Sequence, residues 1–237
     1  MSRGALVVFA KQPVPGTVKT RLSPPLSSEE AAELYRAMLA DVLVESARAA
    51  REAGLDPVLA VHPGRAAREL VDRAPAPFRA VAQCGPGLAQ RMAWALGEAG
   101  AAAGWPVLLR GSDSPALSAE TICAAAEALV RSDLVIVPDR DGGYSLVGLR
   151  RPAPGLFDHS MSTDRVENDT LMGAERIGLS SERLDPCFDI DTIADLRHLA
   201  EGRTRGLAPR CARTLRYLDE RDLWRHLEGA ARPASRQ

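Results

Sequence analysis

Short apolar runs alternate with amphipathic segments along most of this chain, and that order constrains the fold more than any other feature. The first run, residues 6–10, is typical of a buried strand. Further strands are expected at 57–61, 78–82, 107–109, 134–137 and 145–149, and helices at 28–54, 88–102, 119–131, 162–176 and 192–200. This alternation predicts an α/β fold of three α/β/α layers, with a mainly parallel sheet and one hairpin excursion.

Composition limits the partners that such a chain can have. The 237 residues are 46% hydrophobic with a net charge of −1, so a core can form without the basic excess of a nucleic-acid binder. Aromatic residues make up only 4%, which also disfavours base-stacking surfaces. No apolar run is long enough to span a membrane, and no signal peptide is recognisable. The four cysteines form no C-x-x-C pair. We therefore expect a cytoplasmic protein with reduced thiols that binds neither nucleic acid nor membranes.

The charge and turn pattern near the C-terminus indicates a separate final segment. Residues 1–205 are expected to form the main domain, and 206–237 an amphipathic helix with a polar tail. The apolar positions of that helix include Leu215, Leu218, Leu223 and Leu227. The helix would pack on the domain or on a second copy of the chain in a homodimer.

A loop rich in proline, glycine and cations follows the first strand. It contains Lys11, Lys19 and Arg21, with Gly16 and Thr20 as neighbouring candidates for substrate contact. In open α/β sheets, ligands bind at the carboxyl ends of the strands, which is where this loop must lie. Fixed cations in such a crevice suit a polyphosphate, so the loop predicts a nucleotide site. The alternative is a solvated basic turn.

Carboxylates follow strands at two later positions and suggest a cation site. Asp113 follows the strand at 107–109, and Asp189 and Asp191 alternate along an extended stretch, so that they can face one cation. Magnesium favours one or two carboxylates together with phosphate oxygens. Alternatively, Asp113 opens a turn before Pro115, and Asp191 or Thr192 caps the following helix.

Two further motifs indicate an anion-binding region opposite the cations. Gly142 and Gly143 sit between two strands, where glycine lets the backbone approach a ligand and donate N–H groups. Ser162 and Thr163 are expected to open a helix whose free N–H groups favour an anion. The alternative for the glycine pair is an ordinary hairpin turn.

The ordered set of motifs resembles a known family. Phe-Ala-Lys-x-Pro-x-Pro-Gly-x-x-Lys-Thr-Arg-Leu, Gly-x-Asp-x-Pro, Pro-x-x-Asp-Gly-Gly-Tyr, Ser-Thr and Asp-x-Asp-Thr together resemble the glycosyltransferase-A-like family of bacterial transferases, some of whose members accompany radical-SAM and selenium-related proteins. The likeness spans about residues 6–199. The same layout is similar to phospholactate guanylyltransferases and, more distantly, to molybdenum-cofactor and sugar nucleotidyltransferases.

The resemblance implies a glycosyltransferase-A-type nucleotide-binding fold with Mg²⁺, or Mn²⁺ in its place. It implies site roles for matching residues: phosphate binding by Lys11, Lys19 and Arg21, metal binding by Asp113, Asp189 and Asp191, and acceptor binding by Gly143, Ser162 and Thr163. The chain departs from the family pattern twice. The segment that begins at Gln83, a candidate substrate contact, has Ala89 where the family pattern has glycine, and Met161 replaces a tryptophan.

The resulting functional hypothesis is nucleotidyl transfer from a nucleoside triphosphate to a small anionic acceptor. Lys19 and Arg21 would hold the β and γ phosphates, and Lys11 the acceptor anion or the α phosphate. One alternative is a glycosyltransferase with a nucleotide-sugar donor, although Ser112-Asp113-Ser114 lacks the usual Asp-x-Asp pattern. The other alternative is a nucleotide-binding module without catalysis.

Overall fold

The computed structural model of the chain describes residues 4–161 and 163–229. Its strands are β1 (Ala5–Lys11), β2 (Asp56–His62), β3 (Arg79–Ala82), β4 (Val107–Gly111), β5 (Leu134–Pro138), β6 (Tyr144–Leu149) and β7 (Ser181–Arg183). Its helices are α1 (Ser28–Ala53), α2 (Ala67–Val71), α3 (Leu88–Ala103), α4 (Ala119–Ala128), α5 (Val166–Arg176), α6 (Leu196–Gly202), α7 (Ala212–Glu220) and α8 (Arg225–Gly229). No helix within these residues is long and apolar enough to cross a membrane.

The strands form one seven-stranded sheet in the order β3-β2-β1-β4-β6-β5-β7. β1 pairs in parallel with both β2 and β4, with Phe9 opposite Gly111 in the β4 register. β6 is antiparallel to both of its neighbours, β4 and β5, and β7 returns parallel to β5. The predicted three-layer, mainly parallel sheet with one hairpin excursion is confirmed.

Alternation along β1 divides the core between the two faces of the sheet. Ala5 and Val7 pack on one face with buried residues of α3 and α5. Leu6 packs on the opposite face with α1 and α4, and Val8 packs on that face with α1 and α2. A strand covered on both faces is apolar throughout, which is why β1 reads as a continuous apolar run in the sequence.

Helix α1 begins with a complete capping box. The Ser27 hydroxyl accepts the Glu30 amide at 3.1 Å, and the Glu30 carboxylate accepts the Ser27 amide at 2.8 Å. The helix ends at Gly54, whose backbone is left-handed, as glycine readily permits. Capping at both ends holds a 26-residue helix that packs on the sheet and on the C-terminal helices.

The structure corrects several expectations about element boundaries. The segment before α5 does not cap it through the side chain of Thr163 or Asp164, because Arg165 occupies the N-cap position and forms no side-chain cap bond. Ser162 lies outside the described residues. The expected helix at 192–200 is a 3₁₀ turn, Ile193–Asp195, followed by α6. The single expected C-terminal helix is two helices, α7 and α8, and residues 230–237 also lie outside the described residues.

Candidate functional site

The carboxyl ends of β1 and β4 open into a cleft of about 1300 Å³. Most of the predicted site residues line it: Lys11, Lys19, Thr20, Arg21, Gln83, Asp113, Gly142, Gly143, Thr163, Asp189 and Asp191. Gly16 lies in the loop after β1 but is not part of the lining, and its backbone takes a left-handed turn at φ +76°. The structure therefore brings the basic loop, the carboxylates and the hairpin to a single cavity.

Lys19 is held between two of these carboxylates. Its Nζ lies 2.5 Å from Asp113 Oδ1 and 2.9 Å from Asp191 Oδ1, and its side chain is only 3% exposed. Burial alone would lower the pKa of Lys19, but the two carboxylates outweigh it and raise the pKa above the usual lysine value. Lys19 also has a left-handed backbone at φ +49°, which is uncommon for a residue with a side chain. The ammonium thus occupies the space between two predicted cation ligands.

The three cations of the loop differ in their surroundings. Lys11 is exposed at the mouth of the cleft. Arg21 is 64% exposed in its side chain, and its Nη1 lies 3.5 Å from Asp191 Oδ2. Asp191 carries the opposing charge: burial opposes its ionisation, but Lys19 outweighs that effect and lowers its pKa. Of the three loop cations, Lys11 and Arg21 are therefore the most accessible to an anionic ligand in the free protein.

Asp189 is the most buried of the three carboxylates, and it forms no ion pair with any residue that the structure describes. It accepts hydrogen bonds from the hydroxyls of Ser114 and Ser145, the latter at 3.1 Å. Burial, and after it the negative charge of Asp113, raises the pKa of Asp189 to about 6. The positive charge of Lys19 lowers the pKa of Asp189 but does not outweigh these two effects.

The donor chemistry of this site fits a divalent cation that arrives with a ligand. Within residues 4–161 and 163–229, no three His, Cys, Asp or Glu side chains are grouped so as to hold a metal by themselves. Magnesium needs only one or two protein carboxylates when phosphate oxygens and water complete its shell. Asp113 and Asp189 supply such oxygens, and Asp189 supplies negative charge that no described cation pairs.

Asp191 and Thr192 also have the capping surroundings anticipated as an alternative. The Asp195 carboxylate accepts the amides of Asp191 and Thr192 at 3.0 and 2.7 Å, and the Thr192 hydroxyl at 2.8 Å. These bonds fix the backbone at the start of the 3₁₀ turn. The Asp191 side chain remains directed to Lys19, so the turn and the ion pair coexist.

The glycine pair lies in a hydrogen-bonded turn, the alternative anticipated from the sequence, and this limits the predicted anion-binding role of the Gly143 amide. Asp139 Oδ1 accepts the amides of Asp141 and Gly143 at 2.8 and 2.9 Å, so the Gly143 N–H already has an acceptor. A Cβ on Gly143 would lie 2.7 Å from Asp139 Oδ2, and one on Gly142 would lie 1.9 Å from the backbone oxygen of Asp164. Packing and a left-handed backbone at φ +81° therefore require glycine at 142, whereas a side chain at 143 would have to displace the Asp139 carboxylate.

Gln83 connects β1 to β2 through side-chain hydrogen bonds. Its amide nitrogen donates to the carbonyl oxygens of Ala10 and Ala60, each at 2.9 Å, and the residue is 8% exposed. Gln83 therefore joins β1 to β2 at the floor of the cleft, where it also forms part of the lining. This amide nitrogen is already hydrogen-bonded to the backbone, so a ligand would have to contact another part of Gln83.

Two residues in or beside the site were not predicted from the sequence. Tyr35 lines the cleft from α1. Arg110 is fully buried outside the cleft lining, and it donates to the carbonyl oxygens of Gly111 and Ser114 at 3.2 and 2.5 Å. In the sequence, Tyr35 has the spacing of a core residue on a helix, and Arg110 stands alone in an apolar strand. An unpaired cation within a strand was the one available signal, because a buried arginine requires acceptors.

Comparison with known proteins agrees with this architecture. The 2-phospho-L-lactate guanylyltransferase of Methanoregula boonei is 33% identical over 190 residues, 78% of each chain. A Desulfovibrio desulfuricans structure, provisionally described as a nucleotide-diphospho-sugar transferase, is 31% identical with a TM-score of 0.82, and the match covers 93% of this chain and 96% of that one. A Methanothermobacter nucleotidyl transferase shares the fold alone, at 15% identity and a TM-score of 0.54 over 85% and 98% of the two chains.

The fold, the cleft and these relatives define a transferase with a glycosyltransferase-A-like fold, related to nucleotidyltransferases. The profile of the DUF2064 family, described as an uncharacterized protein conserved in bacteria, matches residues 44–163. The chain belongs to this family. The resemblance seen in the motifs is thereby confirmed.

Proposed function

We propose that the protein transfers a nucleoside monophosphate from a nucleoside triphosphate to a small anionic acceptor and releases pyrophosphate. The observation that carries the proposal is the shared cleft, in which the exposed cations Lys11 and Arg21 line the same cavity as Asp113 and Asp189. The guanylyltransferase relative supports the same reaction class. Its name makes GTP the first donor to test.

The chain's own residues can bind and orient the reactants. Arg21 and Lys19 would hold the β and γ phosphates, and Lys11 the α phosphate or the acceptor anion. An acceptor oxygen would attack the α-phosphorus in line, forming one P–O bond. The bond to the bridging oxygen breaks, and pyrophosphate leaves with the electron pair. An acceptor that is already a phosphate needs no general base.

Asp113 and Asp189, with Asp191 beside them, would hold Mg²⁺, or Mn²⁺ in its place. Such an ion supplies a Lewis acid that offsets negative charge on phosphate oxygens during transfer. Asp113 and Asp191 can both join the ligands only if their pairing with Lys19 loosens, since Lys19 Nζ lies 2.5 and 2.9 Å from their Oδ1 atoms. The site therefore couples cation binding to the position of Lys19.

The acceptor is proposed to lie between Lys11 and the hairpin around Gly142. Thr163 lines that side of the cleft and offers a hydroxyl. The backbone amide of Gly143 is excluded as an anion donor because Asp139 already accepts it. Lys11 is consequently the group that we assign to the acceptor anion.

Glycosyl transfer from a nucleotide-sugar is a second candidate, and two observations favour it. Lys19 is already paired with carboxylates, which leaves fewer free cations for a third phosphate. The relative with a TM-score of 0.82 is described within the nucleotide-diphospho-sugar transferases. A diphosphate donor would need only Lys11 and Arg21.

Donor affinity separates the two candidates. We expect GTP with Mg²⁺ to bind about tenfold more tightly than GDP or a GDP-sugar, because one charge-assisted contact contributes about 1.5–3 kcal/mol. Calorimetric titration of the full chain measures each affinity, with the other nucleoside triphosphates tested alongside. Tighter binding of a nucleotide-sugar than of the matching triphosphate would contradict nucleotidyl transfer and support the second candidate.

A further inference from the structure

Tyr35 reaches the ends of two neighbouring strands from one helix. Its ring is 2% exposed, and its Oη lies 3.0 Å from the Lys11 amide nitrogen and 2.7 Å from Ser112 Oγ. Lys11 is the last residue of β1, and Ser112 immediately follows β4. One hydroxyl therefore touches both the start of the basic loop and the segment that carries Asp113.

The phenol is suited to join these two groups. Burial, and after it the negative charge of Asp113, raises the pKa of Tyr35 to about 12, so the hydroxyl keeps its proton. The oxygen accepts the Lys11 N–H and retains a proton to share with Ser112. Loss of its acceptor would cost this partly buried amide free energy, so the hydrogen bond holds the Lys11 backbone against Tyr35.

We infer that Tyr35 is a positioning residue that couples the phosphate-binding end of β1 to the carboxylate segment after β4, through its hydrogen bonds to Lys11 and Ser112. The choice of ligands in this inference rests on the proposed function. That one hydroxyl holds two segments in place does not depend on the proposed function. A residue that only fills space would affect stability without affecting both ligand groups.

The variant Tyr35→Phe removes the hydroxyl and keeps the ring. Its matched control is Tyr217→Phe, which removes a 3.3 Å hydrogen bond to the Glu30 carbonyl oxygen, a contact that lies outside the cleft lining. The probes are tripolyphosphate with Mg²⁺, measured by calorimetry, and Mn²⁺ alone, measured by electron paramagnetic resonance. Both are titrated well below the melting temperature of each variant.

We expect Tyr35→Phe to weaken the binding of each probe about tenfold, the change that corresponds to about 1.4 kcal/mol. Tyr217→Phe should leave both affinities within about twofold of the original chain. In the double variant Tyr35→Phe, Ser112→Ala, the loss of Mn²⁺ affinity should be smaller than the sum of the single losses, because both changes break one bond. Unchanged affinity for both probes in Tyr35→Phe would overturn the inference.

Hydrogen exchange tests the coupling without any ligand. In Ser112→Ala, the Lys11 amide should exchange faster, because Tyr35 Oη hydrogen-bonds to both residues. This variant also serves if Tyr35→Phe fails to fold. Lys11 exchange equal to that of the original chain would overturn the coupling. Failure of the original chain to bind either probe would instead overturn the proposed function, and the exchange result would still decide the role of Tyr35.

Discussion

Lys19 and Lys11 show how one residue type serves two purposes in the same loop. Lys11 is exposed and available to a ligand, whereas Lys19 is buried against Asp113 and Asp191. An ammonium and a divalent cation compete for the same carboxylate oxygens. The free protein thus has its own cation between two carboxylates that we propose as metal ligands, and the backbone of Lys19 is left-handed there.

Replacing this internal cation should expose the competition. In Lys19→Met, we expect Mn²⁺ alone to bind about tenfold more tightly, because the ammonium no longer occupies Asp113 and Asp191. The ligand-free protein should lose about 1–2 kcal/mol of stability, a modest loss because both carboxylates are about 40% exposed. Paramagnetic resonance and thermal melting measure the two effects. Lys11→Met is the control and should change neither; equal Mn²⁺ affinity in Lys19→Met would show that no competition exists.

Among the elements, the far edge of the sheet depends on one carboxylate. Asp133 directly precedes β5, and its Oδ2 accepts the amide and hydroxyl of Ser180 at 3.1 and 2.9 Å. Its Oδ1 accepts Arg150 Nε at 3.1 Å. Asp133 thereby links the start of β5 to the end of β6 and to the residue before β7. Since β7 has only three residues and little buried surface, these bonds add to its pairing with β5 and to the ion pairs of Glu182 and Arg183.

The acid dependence of stability should report this link. The hydrogen bond from the Ser180 backbone, followed by the contact with Arg150, lowers the pKa of Asp133 to about 2. A carboxyl whose pKa is lowered by folding stabilises the folded state at a pH above its unfolded pKa of about 3.9. That stabilisation is lost as the pH falls towards 2. We expect Asp133→Asn to cost about 1–3 kcal/mol at pH 7, with a difference that shrinks below pH 4. Urea unfolding across this pH range measures the loss of stability, and the variant of the exposed Asp158, Asp158→Asn, is the control. A stability difference between Asp133→Asn and the original chain that stays constant with pH would contradict this role of Asp133.

The elements also show which parts of the structure the sequence could predict. β1 to β6 were predictable because apolar runs with breakers mark buried strands. β7 was not, because Ser181-Glu182-Arg183 contains no apolar residue and gains its place from contacts with β5. The predicted start of α5 was wrong because the Glu167 amide donates to the Gly142 carbonyl oxygen, and this tertiary contact overrides local capping. The carboxylates of the cleft were predictable from strand ends, but the pairing of Lys19 and the reach of Tyr35 depend on packing between distant segments.

At the scale of the whole molecule, α1 connects the cleft to the C-terminal helices. Near its N-terminal half it carries Tyr35, and further along it carries Asp41, which is 2% exposed. Asp41 accepts the amides of Arg213 and Thr214 at 3.1 and 2.8 Å, where α7 begins. Leu215 and Leu218 of α7 are buried against α1 in the same cluster. A carboxylate at a helix N-terminus satisfies free N–H groups and interacts favourably with the helix dipole.

Weakening the contact between Asp41 and α7 should lower the stability of the fold without changing ligand affinity at the cleft. Asp41→Asn leaves one weaker acceptor for several donors, and we expect a loss of about 1–3 kcal/mol, or several degrees in melting temperature. Tripolyphosphate affinity measured well below the melting temperature should stay within about twofold, because Asp41 does not line the cleft. The exposed Glu29→Gln on the same helix is the control. A large loss of affinity in Asp41→Asn would mean that α7 influences the cleft through α1.

The reversed direction of β6 has a consequence for how such proteins diversify. Because β6 runs against its neighbours, its beginning at Tyr144, rather than its end, meets the carboxyl ends of the parallel strands. The turn at that edge is closed by its own hydrogen bonds to Asp139, and its Gly142 carbonyl oxygen accepts the Glu167 amide of α5. A protein with this scaffold could therefore change this turn, on the proposed acceptor side, and keep its basic loop.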